Sequence, residues 1–423
     1  MRYLYSALFY LLLPFILLRM LLRSRKAPAY RRRLAERFGI FPALAASTER
    51  PVIWVHAVSV GETLAAAPLI ESLLRDYPDH RVAVTTTTPT GSDRVRALFG
   101  DRVFHVYSPW DMPGAVQRFL QRVQPGLLII METELWPNLL HYCHGRGCPV
   151  VLANARLSER SARGYARFGG LTRGMLQQLS VVACQSRSDG DRFLALGLPQ
   201  ARLNVTGSIK FDLELDRDLR ARAAILREEF SRPVILASST HPGEDEIILA
   251  AFRAVREQVP GALCLLVPRH PERFDSVYEL CVADGWQVLR RSSGEAVSAG
   301  DDILLGDTMG ELKLLSGTAT VAVIGGSFVA HGGQNVLEAA AWGVPVVTGP
   351  HMFNFSEISA LLLEAGAMEQ LQEPAQLAGS LMRILQDEPL RQRMGNAGEQ
   401  VVAENRGALV RLQEIIGDSL TGA

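Results

Sequence analysis

Cysteine is scarce and unpatterned in this chain of 423 residues. Cys143, Cys148, Cys184, Cys264 and Cys281 are odd in number and scattered, mostly among apolar neighbours. That excludes a disulfide framework and points to a reducing compartment. His141, Cys143, His144 and Cys148 do cluster, but their spacing fits no common zinc pattern, and no metal is expected. Internal repeats and low-complexity tracts are also missing, which argues against a solenoid. Net charge is absent too, since 44 Lys/Arg balance 44 Asp/Glu.

The balance hides an asymmetry. Residues 1–50 hold ten Lys/Arg and two Asp/Glu, a local +8, so residues 51–423 carry −8. One basic end on an otherwise acidic chain implies a local anionic partner and no nucleic-acid surface. Hydrophobic residues make up 48%, which excludes a disordered chain and allows two ordinary domains plus an appendage.

The appendage comes first. Tyr3 to Leu18 carries no charge, and extended to Leu22 the run reaches the minimum for a bilayer-crossing helix. Arg23, Arg25, Lys26, Arg31, Arg32, Arg33 and Arg37 follow it, so the positive-inside rule puts the body on the cytoplasmic face of a membrane. A cleaved signal peptide has the opposite order of charge and apolarity. The expectation is a membrane anchor over 1–22, spanning or interfacial, and a basic juxtamembrane segment over 23–50 facing anionic lipid head groups. A buried core helix with a solvated basic loop is the alternative.

From residue 51 short apolar runs alternate with amphipathic stretches, the pattern of parallel sheets with helices on both faces. Strands are expected at 52–57, 82–86, 103–107, 126–131, 150–154 and 181–185. A charged linker helix is expected over 211–232. Strands then resume at 233–238, 263–268, 287–290, 303–305, 321–324 and 344–347, and one long helix over 390–417 closes the chain. The fold class is α/β, with two Rossmann-like domains, 51–210 and 233–423. Their carboxyl edges are expected to face one another across a cleft, and the terminal helix to pack back on the first domain.

Ligands bind at the carboxyl ends of such strands. The run Val52–Ala57 empties through Ser59-Val60-Gly61 into a helix that starts near Glu62, placing a carboxylate at that edge. Glu132 and Glu134 follow the strand 126–131, where acids beside Trp136 are costly unless used or paired. Arg156, Lys210 and the hydroxyls of Thr85 and Thr86 sit in similar strand-end positions. With Ser59 and Gly61, these Thr residues and Arg156 are candidate acceptor contacts, although a helix cap explains the Thr run as well. In the second domain Gly325-Gly326-Ser327 leads to a helix expected near Gln334. Backbone N–H groups there could cradle a phosphate, and Glu338 could accept from ribose hydroxyls, as acids do in dinucleotide sites. A tight structural turn is the alternative. Arg269, after the strand 263–268, offers a fork to phosphate or carboxylate, and Met309-Gly310 could line the base.

Several segments carry a resemblance: Trp-Val-His-Ala-Val-Ser-Val-Gly-Glu (54–62), Met-Glu-Thr-Glu-Leu-Trp-Pro-Asn (131–138), Asn-Ala-Arg-Leu-Ser (154–158), Gly-Ser-Ile-Lys-Phe-Asp (207–212), Pro-Arg-His-Pro-Glu-Arg-Phe (268–274), Asp-Thr-Met-Gly-Glu-Leu (307–312) and the loop 325–338. Together they resemble the Kdo (3-deoxy-D-manno-oct-2-ulosonic acid) transferases of Gram-negative bacteria, glycosyltransferase family 30. The resemblance spans essentially the whole chain. It implies a GT-B glycosyltransferase at the inner membrane that moves Kdo from CMP-Kdo to lipid IVA, inverts the anomeric centre and uses no metal or other cofactor. It assigns Glu62 as general base, and Glu132 and Lys210 to transition-state stabilisation. Pro268, Arg269, His270, Met309, Gly310, Glu311, Gly325, Gly326, Ser327, Asn335, Val336, Leu337 and Glu338 become donor contacts. Its rivals are a UDP-sugar transferase or epimerase on the same architecture, and a membrane-tethered nucleotide-binding scaffold.

Overall fold

A computed structural model describes residues 1–25, 28–44 and 50–421. Lys26, part of the expected basic cluster, lies outside the described residues. The chain forms two units, Met1–Asp212 with Arg406–Ala423, and Leu213–Asn405.

The first unit holds β1 (Val52–His56), β2 (Arg81–Thr86), β3 (Phe104–Tyr107), β4 (Pro125–Met131), β5 (Val150–Ala155), β6 (Val181–Cys184) and β7 (Leu203–Val205). They form a parallel sheet in the order β3-β2-β1-β4-β5-β6-β7. Apolar runs here do not alternate with polar residues because both faces are covered. Val52, Trp54, Leu128 and Ile130 enter one core, while Ile53, Val55, Leu127, Ile129 and Met131 enter the other. Side chains alternate between faces along a strand, so one strand feeds both cores.

The second unit repeats the plan with β8 (Val234–Thr240), β9 (Leu263–Pro268), β10 (Val288–Arg290), β11 (Ile303–Leu305), β12 (Val321–Ile324), β13 (Val346–Thr348) and β14 (Met368–Gln370). Its order is β10-β11-β9-β8-β12-β13-β14, again all parallel. The first sheet reverses its strand order between β1 and β4, and the second does so between β8 and β12. Loops diverge at such points and leave a crevice for ligands.

Three expectations need correction. The helix expected over 211–232 is present as Arg217–Phe230, but it is part of the second unit rather than a linker, burying Ala223, Leu226 and Phe230. The single terminal helix is two, Glu388–Glu404 and Ala408–Thr421. Gly407 at φ +88° breaks it, in a backbone region that glycine reaches without strain. The second of these helices belongs to the first unit, where Ala408, Leu412 and Ile416 complete one face of the core. Asp212 caps it, accepting from the N–H groups of Gly407 at 2.6 Å and Leu409 at 2.7 Å.

The basic segment is the third correction. Arg37 is buried, donates to the carbonyl of Thr87 at 2.7 Å and lies 4.4 Å over the Tyr107 ring. Arg33 pairs with Glu36 at 2.6 Å and reaches the carbonyl of His105 at 2.8 Å. The carboxylate, carbonyls and aromatic face of the unit hold these two cations, so they do not face head groups.

Asp212→Ala removes both caps of the terminal helix. It should cost about 1–2 kcal/mol, read as a lower urea midpoint for unfolding.

Candidate functional site

At the end of β1 the chain turns through Ala57 and Val58, and Ser59 caps the helix Val60–Asp76. Its hydroxyl accepts from the Glu62 N–H at 3.4 Å and donates to Glu62 Oε1 at 3.0 Å, a reciprocal cap. The Val58 N–H donates to Oε2 at 2.8 Å. Glu62 is therefore held by its own turn, with only 8% of its surface exposed. Burial pushes its carboxyl up from 4.5 to about 7. The Val58 bond opposes this, and the charges of Glu132 and Glu134 add to it. These influences place all three acids in one cluster at the β1/β4 reversal. Glu134 is itself pushed upward by burial, and it accepts from Trp136 Nε1 at 3.1 Å.

Two neighbours in this cluster sit in the left-handed region that non-glycine residues avoid, Glu132 at φ +56° and Asn154 at φ +51°. Such positions cost energy and gather at functional sites. The Glu132 N–H donates to Ala153 O at 2.9 Å. Asn154 is fully buried, and its Oδ1 accepts from the Ile209 N–H at 3.2 Å. It thereby fixes the short turn Ile209–Phe211 that carries Lys210. Asn154 Nδ2 is buried with no partner.

His56 ends β1 in the same place. Burial pushes it down to about 4, so the ring is neutral, with Nδ1 bonded to Thr85 Oγ1 at 2.8 Å and Nε2 unpartnered. It meets the Trp136 ring edge-on at 5.0 Å. Asn154 and His56 stand inside motifs already quoted. Their unpaired polar atoms, which distinguish them, have no sequence signature.

Ser59, Gly61, Glu62, Glu132 and Lys210 all occupy strand-end turns at the carboxyl edge of the first sheet, and Arg156 follows β5 in the same position. Thr85 and Thr86 do not serve as ligand contacts. Both are fully buried within β2. The Thr85 hydroxyl accepts from Trp54 Nε1 at 2.8 Å as well as engaging His56, and the Thr86 hydroxyl bonds His105 at 3.1 Å. The following Thr88 is a helix cap.

The second unit changes the reading of the glycine loop. Glu244, fully buried, inserts its carboxylate into the turn after β12. Oε2 accepts from Gly326 N–H at 2.6 Å and His241 N–H at 2.9 Å, and Oε1 from Ser327 at 3.0 Å and Phe328 at 2.9 Å. The Gly325 N–H goes to Ser238 O at 2.7 Å. The donors expected to cradle a phosphate are thus filled by the protein's own anion. A side chain at Gly325 would stand 2.3 Å from Ser239 O, so glycine here allows two loops to touch. The helix expected near Gln334 is one turn, Leu337–Ala340. In the sequence Glu244 is an acid at a helix entrance, the pattern of a partner for the helix dipole. Three of its four partners lie more than eighty residues away.

A cluster of three imidazoles also lies at this edge, next to Arg269. His241 stacks on His331 with centroids 4.3 Å apart and meets His270 edge-on at 5.5 Å. Burial pushes His241 down to about 4, helped by His331, His270, Arg269 and Arg273. Gln334 Nε2 lies 3.0 Å from His241 Nε2. Nearby, Asn335 Oδ1 accepts from Leu337 N–H, and its Nδ2 donates to Glu338 Oε1, both at 3.1 Å. Glu338 Oε2 is buried with no partner, and burial raises this carboxyl against the pull of Asn335, Lys313 and Arg269. An acid with one oxygen to spare suits a sugar hydroxyl. Val336 and Leu337 are buried and hold this turn, while Pro268 ends β9. Met309 is 62% exposed, Gly310 takes φ +85°, and Glu311 is bound to Arg291 and Thr308.

Comparison with known proteins follows this division. Residues 32–213 match the family model of 3-deoxy-D-manno-octulosonic-acid transferase (kdotransferase), and 231–401 match that of glycosyl transferases group 1. The 3-deoxy-D-manno-octulosonic acid transferase of Haemophilus influenzae is 46% identical over 419 residues, covering 98% of both chains. That of Bordetella pertussis is 38% identical over 97% of each. Among solved structures, a UDP-GlcNAc 2-epimerase from Neisseria meningitidis shares the fold, with TM-score 0.57 at 15% identity over 88% of this chain and all of its own.

Two outcomes follow from the geometry. Glu244→Ala strands four buried N–H groups and should lower stability by about 3–5 kcal/mol in urea unfolding. Glu62 binds its proton more tightly folded than unfolded, so the stability this gives is full below pH 4.5 and is lost as pH rises through 7. Glu62→Gln should therefore leave the thermal midpoint little changed at pH 4.5 and raise it by about 2–4 °C at pH 8.

Proposed function

The chain belongs to the Kdo transferase family, and from that membership we propose that it moves Kdo from CMP-Kdo to lipid IVA, inverting the anomeric centre without a metal ion. The observation that carries the mechanism is the Glu62 carboxyl, raised to about 7 at the carboxyl edge of the first sheet. A sugar hydroxyl is a poor nucleophile at neutral pH, and a carboxylate tuned near the working pH takes its proton as the new bond forms. Ser59 and the Val58 N–H aim that carboxylate. Glu132 and Lys210 act on the charge that develops at the transferring sugar, and Asn154 holds the Lys210 turn. Ser59, Gly61 and Arg156 border the acceptor.

Departure of CMP leaves an anion, and the donor sugar carries a carboxylate of its own. Arg269, beside the imidazole cluster of His241, His270 and His331, supports a site for these groups, in place of the glycine-loop N–H groups. Glu338 offers its free oxygen to a hydroxyl of the donor, while Gly325, Gly326 and Ser327 shape the loop through Glu244. Pro268, Met309, Gly310 and Glu311 border the same donor, with the turn Asn335–Leu337. The N-terminal helix keeps the enzyme at the cytoplasmic face of the inner membrane, where a lipid acceptor and a soluble donor both reach it.

Mass spectrometry of lipid IVA after incubation with CMP-Kdo tests the reaction. Added Kdo, with full turnover in a chelator, is expected; turnover of UDP-sugars and none of CMP-Kdo would contradict it. Glu62→Ala should keep the fold and CMP binding while losing about 10²–10⁴-fold in kcat.

A further inference from the structure

The N-terminal helix Arg2–Arg23 is long and apolar enough to cross a membrane by length and composition. Its first turns, however, are fastened to the first unit. Arg2 Nη1 donates to Asn138 Oδ1 at 3.0 Å. Ser6, itself buried, exchanges hydrogen bonds with the Asn138 side chain at 3.0 and 3.1 Å, and the Tyr5 hydroxyl bonds Asp111. Asn138 in turn donates from its Nδ2 to Asp111 O at 2.7 Å and from its N–H to Asp111 Oδ2 at 2.9 Å. The attachment is thus a polar network built on the helix Pro137–His144, directly after the loop of Glu132 and Glu134.

The other end of the N-terminal helix returns to the same unit within a few residues, at Arg33 and Glu36. A helix of 22 residues is about 33 Å long, close to the thickness of a bilayer's hydrocarbon core. A spanning path would put Arg2, Tyr5 and Ser6 on the far side of the bilayer from Asn138 and Asp111. The same helix cannot cross and keep these bonds.

Its outer face fits the other arrangement. Leu4, Leu8, Leu11, Phe15, Leu18 and Leu22 are each at least half exposed, and Tyr3, Tyr10, Leu12 and Leu21 are exposed beside them, so an apolar surface runs the length of the helix. Beside its first turn lies the helix pair Glu159–Ala166 and Gly169–Leu176. Met1, Leu4 and Leu8 share an apolar groove of about 750 Å³ with Tyr165, Phe168 and Met175 of that pair. Phe168 is 63% exposed, and Arg160, Arg163, Arg167 and Arg173 are exposed around it, against one acid, Glu159. An apolar surface continuous with an aromatic and a ring of arginines matches an anionic lipid surface.

We propose that the N-terminal helix does not cross the membrane: it lies in one leaflet of an anionic bilayer, keyed to the catalytic unit through Asn138 and Asp111, with the helix pair 159–176 as a second contact on the same leaflet. The arrangement holds the Glu132–Glu134 loop at a fixed height over the leaflet.

The test is topology in native membranes. A protease site placed ahead of Met1, with the natural sequence following, should be cut in inverted vesicles and resist in right-side-out ones. Cutting only in right-side-out vesicles would overturn the proposal. Ser6→Cys with Asn138→Cys should close a disulfide on mild oxidation of those membranes, since the two side chains are in direct contact. Failure of that link in protein that retains transferase activity would also count against it. Replacing Arg160, Arg163, Arg167 and Arg173 by Glu should weaken binding to vesicles containing anionic phospholipid at least tenfold. Unchanged binding would remove the helix pair from the contact.

Discussion

A carboxylate taken out of water must find donors or take up a proton, and both units are arranged around that constraint. In the second unit the demand is met in full. Glu244 has four backbone N–H groups, and the result is a rigid joint between the loop after β8 and the loop after β12. In the first unit it is met in part. Glu62 has one backbone N–H and one hydroxyl, with two further acids close by, and its affinity for a proton rises to about pH 7. The same chemical group is thus a fixed anion in one place and a proton-binding group near neutral pH in the other, according to how many donors reach it.

The donors are limited by backbone geometry at strand ends. Glu132, Asn154 and Ser239 take left-handed conformations where β4, β5 and β8 finish. The sheets bind their strands firmly enough to impose that strain, because each central strand is buried on both faces. Three polar atoms at these ends, His56 Nε2, Asn154 Nδ2 and Glu338 Oε2, stay buried without a partner.

Most of the fold could be read from the chain. Fully buried parallel strands are continuous apolar runs, and 263–268, 303–305 and 321–324 were placed at their observed limits. Edge strands β7 (Leu-Asn-Val) and β14 (Met-Glu-Gln) are interrupted by polar residues and mostly not buried, so they lack the apolar run that marks β11. The break at Gly407 was missed because apolar spacing continues on both sides of it. Among candidate residues, the strand-end positions of Glu62, Glu132, Lys210 and Arg269 were legible in the sequence. Burial was not, so Thr85 and Thr86 passed for ligand contacts although they serve the interior of β2. Long-range capture was not either, and the glycine loop passed for a phosphate cradle until Glu244 was seen to fill it. The relative at 46% identity over the whole chain agrees with the activity those motifs implied.

If crowding of acids tunes Glu62, its pKa must respond to the charge of a neighbour. The direct measurement is kcat/KM for Kdo transfer against pH, in the natural enzyme and in Glu134→Gln. The natural enzyme should lose activity as pH falls through about 7, and the variant should keep it to lower pH, because one repelling charge is gone. An inflection that stays where it was in Glu134→Gln would remove that charge as a cause of the shift, and transfer that shows no acid limb near 7 would contradict the assignment of Glu62 as the base.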